Sequence, residues 1–200
     1  MRWLALLLTL WAGMAGATTE EALPALYDVA GVAADDVLNL REGPGVEHAV
    51  IGELAPGAES VEVTALSEDG GWGRVNVEGR SGWASMAYLE RQPGQYDSFP
   101  PGIAACFGTE PFWRLEETGD GWQVTLPGEP AVSWAPGLPA DPMGRPGVFA
   151  WLGEDGAGAL VVARESCSDG MSDRLFGLSA ALVTAEGGAV LRTGCCSLVE

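Results

Sequence analysis

The fold of the first half of the chain is decided by the stretch VLNLREGPG at residues 37–45. Its apolar and polar residues alternate, and a period of two is typical of a strand with one buried face. The two leucines are expected to face a core, which leaves Asn39 and Arg41 on the open face beside the glycine–proline turn. The stretch therefore predicts a half-buried strand that ends in a tight turn.

The same pattern continues on the C-terminal side of this stretch. Residues 61–65 read VEVTA and residues 74–77 read RVNV, again with apolar side chains at every second position. Turn formers such as Pro56-Gly57 and Glu78-Gly79 separate the runs. Short strands at regular spacing, with no helical period, predict a small all-β barrel over residues 26–91.

The composition changes after the barrel. Residues 92–103 are rich in proline and glycine and predict a linker of limited flexibility. Residues 104–200 again predict short strands, with residues 166–174 as the main irregular or short helical part. We therefore expect an all-β protein in which the small N-terminal barrel is followed by a second compact β-rich domain, a barrel or a sandwich.

The first 17 residues predict a secretory signal peptide. Arg2 precedes the apolar run WLALLLTLWA at residues 3–12, which is too short for a stable membrane span. Ala15-Gly16-Ala17 fits the pattern that signal peptidase cleaves. Cleavage after Ala17 would leave residues 18–25 as a lead-in and no integral membrane segment, which places the protein in the periplasm or outside the cell. The alternative is a retained hydrophobic helix.

Four cysteines lie in the second half of the chain: Cys106, Cys167, Cys195 and Cys196. An even number in an exported chain predicts disulfide bonds. Adjacent cysteines rarely bridge each other, so we expect Cys195 and Cys196 to pair separately with the other two, in either combination. The vicinal pair lacks ordinary zinc spacing and His48 is the only histidine, so we expect no metal.

The formal net charge of −18 excludes one class of partner. A strongly acidic surface repels phosphate backbones, so we expect no binding of nucleic acid. An acidic field around the barrel favours neutral or cationic ligands, such as the amine of a diamino acid, although the acidity could also serve solubility alone. The chain contains no lysine and hence no Gly-Lys-Ser/Thr phosphate loop, and no Gly-x-Ser-x-Gly elbow. We therefore expect no cofactor and no enzymatic activity.

The motifs of the first half resemble those of bacterial SH3 domains. VLNLREGPG is similar to the opening motif of that family, and VIGEL at 50–54, GWGRV at 71–75 and GWA at 82–84 follow in the same order, ahead of Tyr88-Leu89. The resemblance implies an SH3-like barrel. Because members commonly bind peptides, it also implies that the partner is a peptide, a peptidoglycan stem peptide or an envelope protein.

The second half is similar to another family. CFGTEPFW at residues 106–113 resembles a Cys-x-Gly-Asn/Thr-Glu-Pro-Phe-Trp signature, which recurs with CSDGMSDR at 167–174 and with Gly194-Cys195-Cys196. The signature marks envelope proteins and lipoproteins of bacteria whose function is unknown. The resemblance implies a compact β domain from about residue 104 to 198, and it supplies no activity.

Five barrel residues are candidates for ligand binding: Asn39, Arg41, Trp72, Trp83 and Tyr88. The two polar side chains could form a rim for a peptide backbone or carboxylate, since arginine binds a carboxylate with two hydrogen bonds. The aromatic side chains could line a shallow groove for an extended peptide. The structural alternatives are that Arg41 pairs with a neighbouring glutamate and that the rings pack in the core, which we favour for Trp83.

Two other functions remain open at this point. The second domain could carry a small apolar ligand in a pocket lined by tryptophans, for which the candidates are Trp113, Trp122, Trp134 and Trp151. An enzyme of unfamiliar type could instead use Glu110, Asp169 or Asp173. The structural alternative is that Glu110 caps backbone amides where a strand begins and that Asp169 caps a short helix.

Overall fold

The computed structural model describes residues 22–118, 121–140, 144–153, 156, 158–185 and 188–199. The expected signal peptide and the first part of the expected lead-in, residues 18–21, lie outside these residues. Within the described ranges, no helix is long and apolar enough to cross a membrane.

Seven antiparallel strands form the first sheet, in the order β3-β2-β6-β5-β4-β1-β7. The strands are β1 (Ala25–Val29), β2 (Leu38–Arg41), β3 (Val50–Leu54), β4 (Val61–Leu66), β5 (Trp72–Val77), β6 (Arg80–Ser85) and β7 (Leu89–Arg91). One turn of 3-10 helix, Met86–Tyr88, precedes β7. Together with the second sheet, this architecture confirms the prediction of an all-β fold.

The inward face of the first sheet follows the alternating pattern. Leu38 and Leu40 on β2 are buried in the barrel core, as the sequence predicts. Strand β4 differs from the others because Glu62 and Thr64, on its outer face, are buried as well. The outer face of β4 is covered because the second domain packs against this strand.

Eight antiparallel strands form the second sheet, in the order β11-β10-β9-β8-β15-β14-β13-β12. The strands are β8 (Ala105–Thr109), β9 (Phe112–Thr118), β10 (Gly121–Thr125), β11 (Val132–Trp134), β12 (Val148–Leu152), β13 (Gly158–Ser168), β14 (Leu175–Thr184) and β15 (Val190–Ser197). Strands that are neighbours in sequence pair with each other, except β11 and β12, which lie at opposite edges of the sheet. The first strand, β8, also pairs with the last, β15, in the middle of the sheet. Residues 166–168 continue β13, and residues 169–173 form the turn before β14.

The four candidate tryptophans of this domain are all buried in a single core. The ring of Trp122 packs against those of Trp134 and Trp151, with centroid distances of 5.3 and 5.5 Å. Trp113 lies in the same core and donates a hydrogen bond from Nε1 to the carbonyl oxygen of Thr193 at 3.0 Å. These contacts are those of core packing, in which the indoles fill the space between strands.

The predicted disulfide bonds are present, and each of the two vicinal cysteines forms one. Cys106 bonds to Cys196, its direct cross-strand partner on β15. Cys167 lies after a register shift in β13 and bonds to Cys195. Neighbouring residues of a strand point to opposite faces, so the two bonds leave β15 on different sides. Among the described residues, no group of three or more His, Cys, Asp or Glu could hold a metal ion.

The glycines beside the cysteines explain two motifs of the second half. A Cβ atom at Gly194 would overlap the backbone of Phe107 on β8, and one at Gly108 would overlap the Trp113 indole and the carbonyl oxygen of Thr193. The Cα atoms of Cys106 and Cys196 lie only 3.9 Å apart. Glycine is therefore required at both positions because it allows the backbones of β8 and β15 to approach closely.

Substituting Gly194→Ala is expected to lower the free energy of unfolding by about 1–3 kcal/mol, because the added methyl group must displace the backbone of Phe107. Urea denaturation followed by tryptophan fluorescence measures this loss. Gly102→Ala is the matched control, since a Cβ atom there meets no atom within 4 Å. Equal stability of the two variants would contradict the close-approach explanation.

Backbone and side-chain hydrogen bonds join the two domains directly. The amide of Ser81 donates a hydrogen bond to the carbonyl oxygen of Asp173 at 3.1 Å. The amide of Asp173 donates to the carbonyl oxygen of Gly79, also at 3.1 Å. The side chain of Asn76 donates to the carbonyl oxygen of Leu175 and accepts from its amide. The barrel and the second domain therefore share a continuous polar contact along β5, β6 and the start of β14.

The segment between the two sheets also contacts both of them. The side chain of Gln95 accepts a hydrogen bond from the amide of Leu26 and donates to its carbonyl oxygen. Arg164 of β13 donates to the carbonyl oxygens of Pro24 and Phe99. Ile103 is buried in the core of the second domain. These bonds attach residues 92–103 to the surfaces that they connect.

Candidate functional site

Four of the five candidate barrel residues line one groove of about 420 Å³: Asn39, Arg41, Trp72 and Tyr88. The loop between β1 and β2 contributes residues 31–33 and 36–37 to the lining. Val46, from the loop between β2 and β3, contributes a largely exposed apolar side chain. The groove thus combines two aromatic rings with one amide and one guanidinium group.

Strand geometry places these side chains together on the outer face of the barrel. Asn39 and Arg41 point outward because Leu38 and Leu40, which alternate with them, point into the core. Trp72 begins β5 directly opposite Ser85 of β6, which also lines the groove. Tyr88 ends the 3-10 turn and keeps 43% of its surface exposed. The rings of the groove are therefore accessible to a ligand.

Trp83 differs from the expectation that it packs in the core. Its neighbours Gly82 and Ala84 are the buried residues of β6, and Trp83 lies half-buried on the outer face. It is the cross-strand partner of Arg41 on one side and of Arg74 on the other. Trp83 is not part of the groove lining, although it shares the face on which the groove lies.

The charged residues of the groove lining are Asp36 and Arg41. Arg41 does not pair with the neighbouring glutamates in the described structure, and its Nη1 donates to the carbonyl oxygen of His48 at 2.8 Å. Asp36 accepts a hydrogen bond at Oδ1 from the amide of Val37. Arg41 retains further N–H donors and Asp36 a second oxygen, so both groups can bind a ligand.

The carboxylates proposed for an enzyme are only partly brought together. Glu110 lies in the exposed turn between β8 and β9 and lines, with Glu165 and Asp169, a second groove of about 530 Å³. Asp173 does not line this groove, and its backbone bonds to the barrel instead.

Asp169 organises the turn that follows β13. Its Oδ1 atom accepts hydrogen bonds from the amides of Met171 and Ser172, and Oδ2 accepts one from the Ser172 hydroxyl. Burial opposes ionisation, but these bonds and the nearby Arg174 guanidinium outweigh it, so the pKa of Asp169 is lowered. Its oxygens are thus used as acceptors within the turn, which is a structural role.

One carboxyl group that the sequence did not single out is Glu62. Its side chain is buried between the domains, where Oε2 accepts hydrogen bonds from the Ser197 hydroxyl and from the amide of Leu198. Oε1 has no hydrogen-bond partner among the described residues. Burial raises the pKa of Glu62 to about 7, although the two hydrogen bonds act in the opposite direction. In the sequence, Glu62 looks like any solvent-facing residue of an alternating strand.

Residues 36–90 match the family model of the bacterial SH3 domain, and this range contains all four candidate residues of the groove. No curated protein and no solved structure shows a significant match to the chain.

Proposed function

We propose, on the premise that residues 36–90 are a bacterial SH3 domain, that this protein is a non-enzymatic binding protein of the bacterial cell envelope. A domain of this family indicates a peptide- or peptidoglycan-binding role. The two disulfide bonds support a location outside the cytoplasm, because such bonds persist in oxidising compartments. The periplasm is the compartment that fits both observations.

The observation that carries the proposal is the groove of Asn39, Arg41, Trp72 and Tyr88. The two rings offer flat apolar surfaces to an extended peptide, and the amide can exchange hydrogen bonds with its backbone. Arg41 can bind a peptide carboxylate, and Asp36 can bind an amine. A cell-wall stem peptide that contains a diamino acid carries a peptide backbone, a carboxylate and an amine on one short chain.

Substituting Trp72→Ala is expected to weaken binding of such a stem peptide by about tenfold or more, because aromatic anchors dominate peptide interfaces. Isothermal titration calorimetry with the soluble peptide measures the affinity. Co-sedimentation with purified cell-wall sacculi measures retention on the wall. Tyr96→Ala is the matched control, since it removes an exposed ring outside the groove lining.

Acetylating the free amine of the peptide tests the role of charge. We expect the acetylated peptide to bind more weakly at low salt, and the difference to shrink as salt screens Asp36.

Equal loss of binding in Trp72→Ala and Tyr96→Ala would refute the groove as the site. If the unaltered protein binds neither the peptide nor the sacculi, the proposed ligand class is wrong.

A further inference from the structure

A larger cleft, of about 830 Å³, lies between the barrel and the second domain, and we call it the interdomain cleft. The barrel contributes apolar residues of β4 and β5, among them Val75 and Val77. The second domain contributes the rings Phe107, Phe112, Trp113 and Phe176. Small-molecule sites have volumes of about 300–1,000 Å³, are mostly apolar with a few polar groups, and often lie at domain interfaces. The interdomain cleft has all three properties.

The polar group that distinguishes this cleft is the carboxyl of Glu62, which lines it. Glu62 is only 6% exposed as a residue. Ser197 and Leu198 donate hydrogen bonds to Oε2, and Oε1 is left without a partner among the described residues. A buried acceptor that lacks a hydrogen bond is costly, by about 1–3 kcal/mol. A ligand in the cleft with a hydrogen-bond donor could supply the missing partner.

The charges around Glu62 indicate the sign of that donor. The other charged residues of the cleft lining are Glu59, Glu78, Arg114, Asp169 and Arg174. Both arginines are paired with carboxylates of their own domain, Arg114 with Glu116 and Arg174 with Asp169. Within the described residues, Glu59 and Glu78 form no ion pair with a basic side chain. The uncompensated charge of the cleft is therefore negative, and it attracts a cation.

We propose that the interdomain cleft is a second binding site, for a ligand in which an amine cation is attached to an aromatic or other apolar group. The amine donates to Oε1 of Glu62, and because this atom is buried in the present structure, binding requires the cleft to open at Glu62. The apolar group lies against Phe107 and Phe176, whose rings already meet edge to face at 5.0 Å. Phe112 and Met171, which are largely exposed, extend the apolar surface outward.

The test compares 2-phenylethylamine with 2-phenylethanol, which has the same ring and chain but no charge. Binding to the full protein is followed by NMR titration at about pH 8. We expect the amine to bind about tenfold more tightly than the alcohol, as a charge-assisted hydrogen bond implies. Glu62→Gln should bring the amine to the level of the alcohol, and Phe112→Ala should weaken both probes by similar factors.

The pH dependence separates recognition from a merely structural role of Glu62. The amine needs the ionised carboxylate, so its affinity should rise from about pH 5.5 to about pH 8, while that of the alcohol stays constant. This comparison uses the unaltered protein, so it remains decisive even if Glu62→Gln fails to fold. Trp72→Ala should leave binding of the amine unchanged, because Trp72 lies outside the cleft lining.

Two results would overturn the proposal. One is equal binding of amine and alcohol across this pH range. The other is unchanged binding of the amine by a folded Glu62→Gln variant. Neither result bears on the groove of the barrel, whose test uses a different ligand and a different variant.

Discussion

Removing the Cys106–Cys196 bond by the double substitution Cys106→Ala and Cys196→Ala is expected to lower the free energy of unfolding of the second domain by about 4–5 kcal/mol. The bond joins residues that are 90 apart in sequence, and it ties the first strand of the sheet to the last. In the chain-entropy account, the cross-link restricts the unfolded chain, and the restriction grows with the length of the closed loop. Without this bond, most of the second domain gains conformational freedom in the unfolded state.

The second disulfide provides the matched comparison. Cys167 and Cys195 are 28 residues apart, so Cys167→Ala with Cys195→Ala is expected to cost about 3–4 kcal/mol. Urea denaturation followed by tryptophan fluorescence reports on this domain, because Trp113, Trp122 and Trp134 lie in its core. A larger loss for the shorter loop would show that strain or packing, and not chain entropy, dominates.

The barrel is the part of the fold that local sequence predicts best. Residues 37–41 show which side chains face the core because alternation on a half-buried strand reflects burial directly. The same reasoning places Asn39 and Arg41 on the outer face, where the structure has them. The polar residues of the groove can be predicted because, on a half-buried strand, the side chains that do not face the core must face outward.

Trp83 shows where reasoning from residue type is misleading. A tryptophan between Gly82 and Ala84 looks like a core residue with small neighbours. The inner space at Gly82 is already filled by Ile51 and Leu40, whose atoms lie 3.2 and 3.3 Å from a Cβ atom built there. The small residues are therefore the inward ones, and the large ring is left outside.

Contacts distant in sequence explain what was not predicted. Glu62 follows the alternation of an exposed position, but it is covered by Ser197, which is 135 residues away. Apolar and polar residues do not alternate clearly along β8. Its Gly108 is required because β15 approaches the strand closely at this position. No local pattern contains information about such partners, so the interdomain cleft emerges only from the folded structure.

Raising the pH from about 4.5 to about 8 is expected to destabilise the protein by about 3 kcal/mol through Glu62 alone. Burial raises the pKa of this carboxyl from 4.5 to about 7, so the folded state holds the proton more tightly than the unfolded state. The stabilisation is complete below about pH 4.5 and is lost as the pH rises through 7. Hydrogen bonds from Ser60 and Gln92 lower the pKa of Asp28. Asp28 therefore contributes to stability in the opposite direction, and its contribution is lost as the pH drops below about 4.

The variant Glu62→Gln isolates this contribution, because the amide keeps an acceptor for Ser197 and Leu198 but does not titrate. The difference in unfolding free energy between variant and parent should shift by about 3 kcal/mol in favour of the variant between about pH 4.5 and pH 8. Glu59→Gln, which removes an exposed carboxylate from the same barrel, is the control for the change in net charge. Parallel curves for Glu62→Gln and the parent would mean that the carboxyl is already ionised in the folded protein near pH 5. In that case the affinity of the interdomain cleft for the amine would not rise between about pH 5.5 and about pH 8.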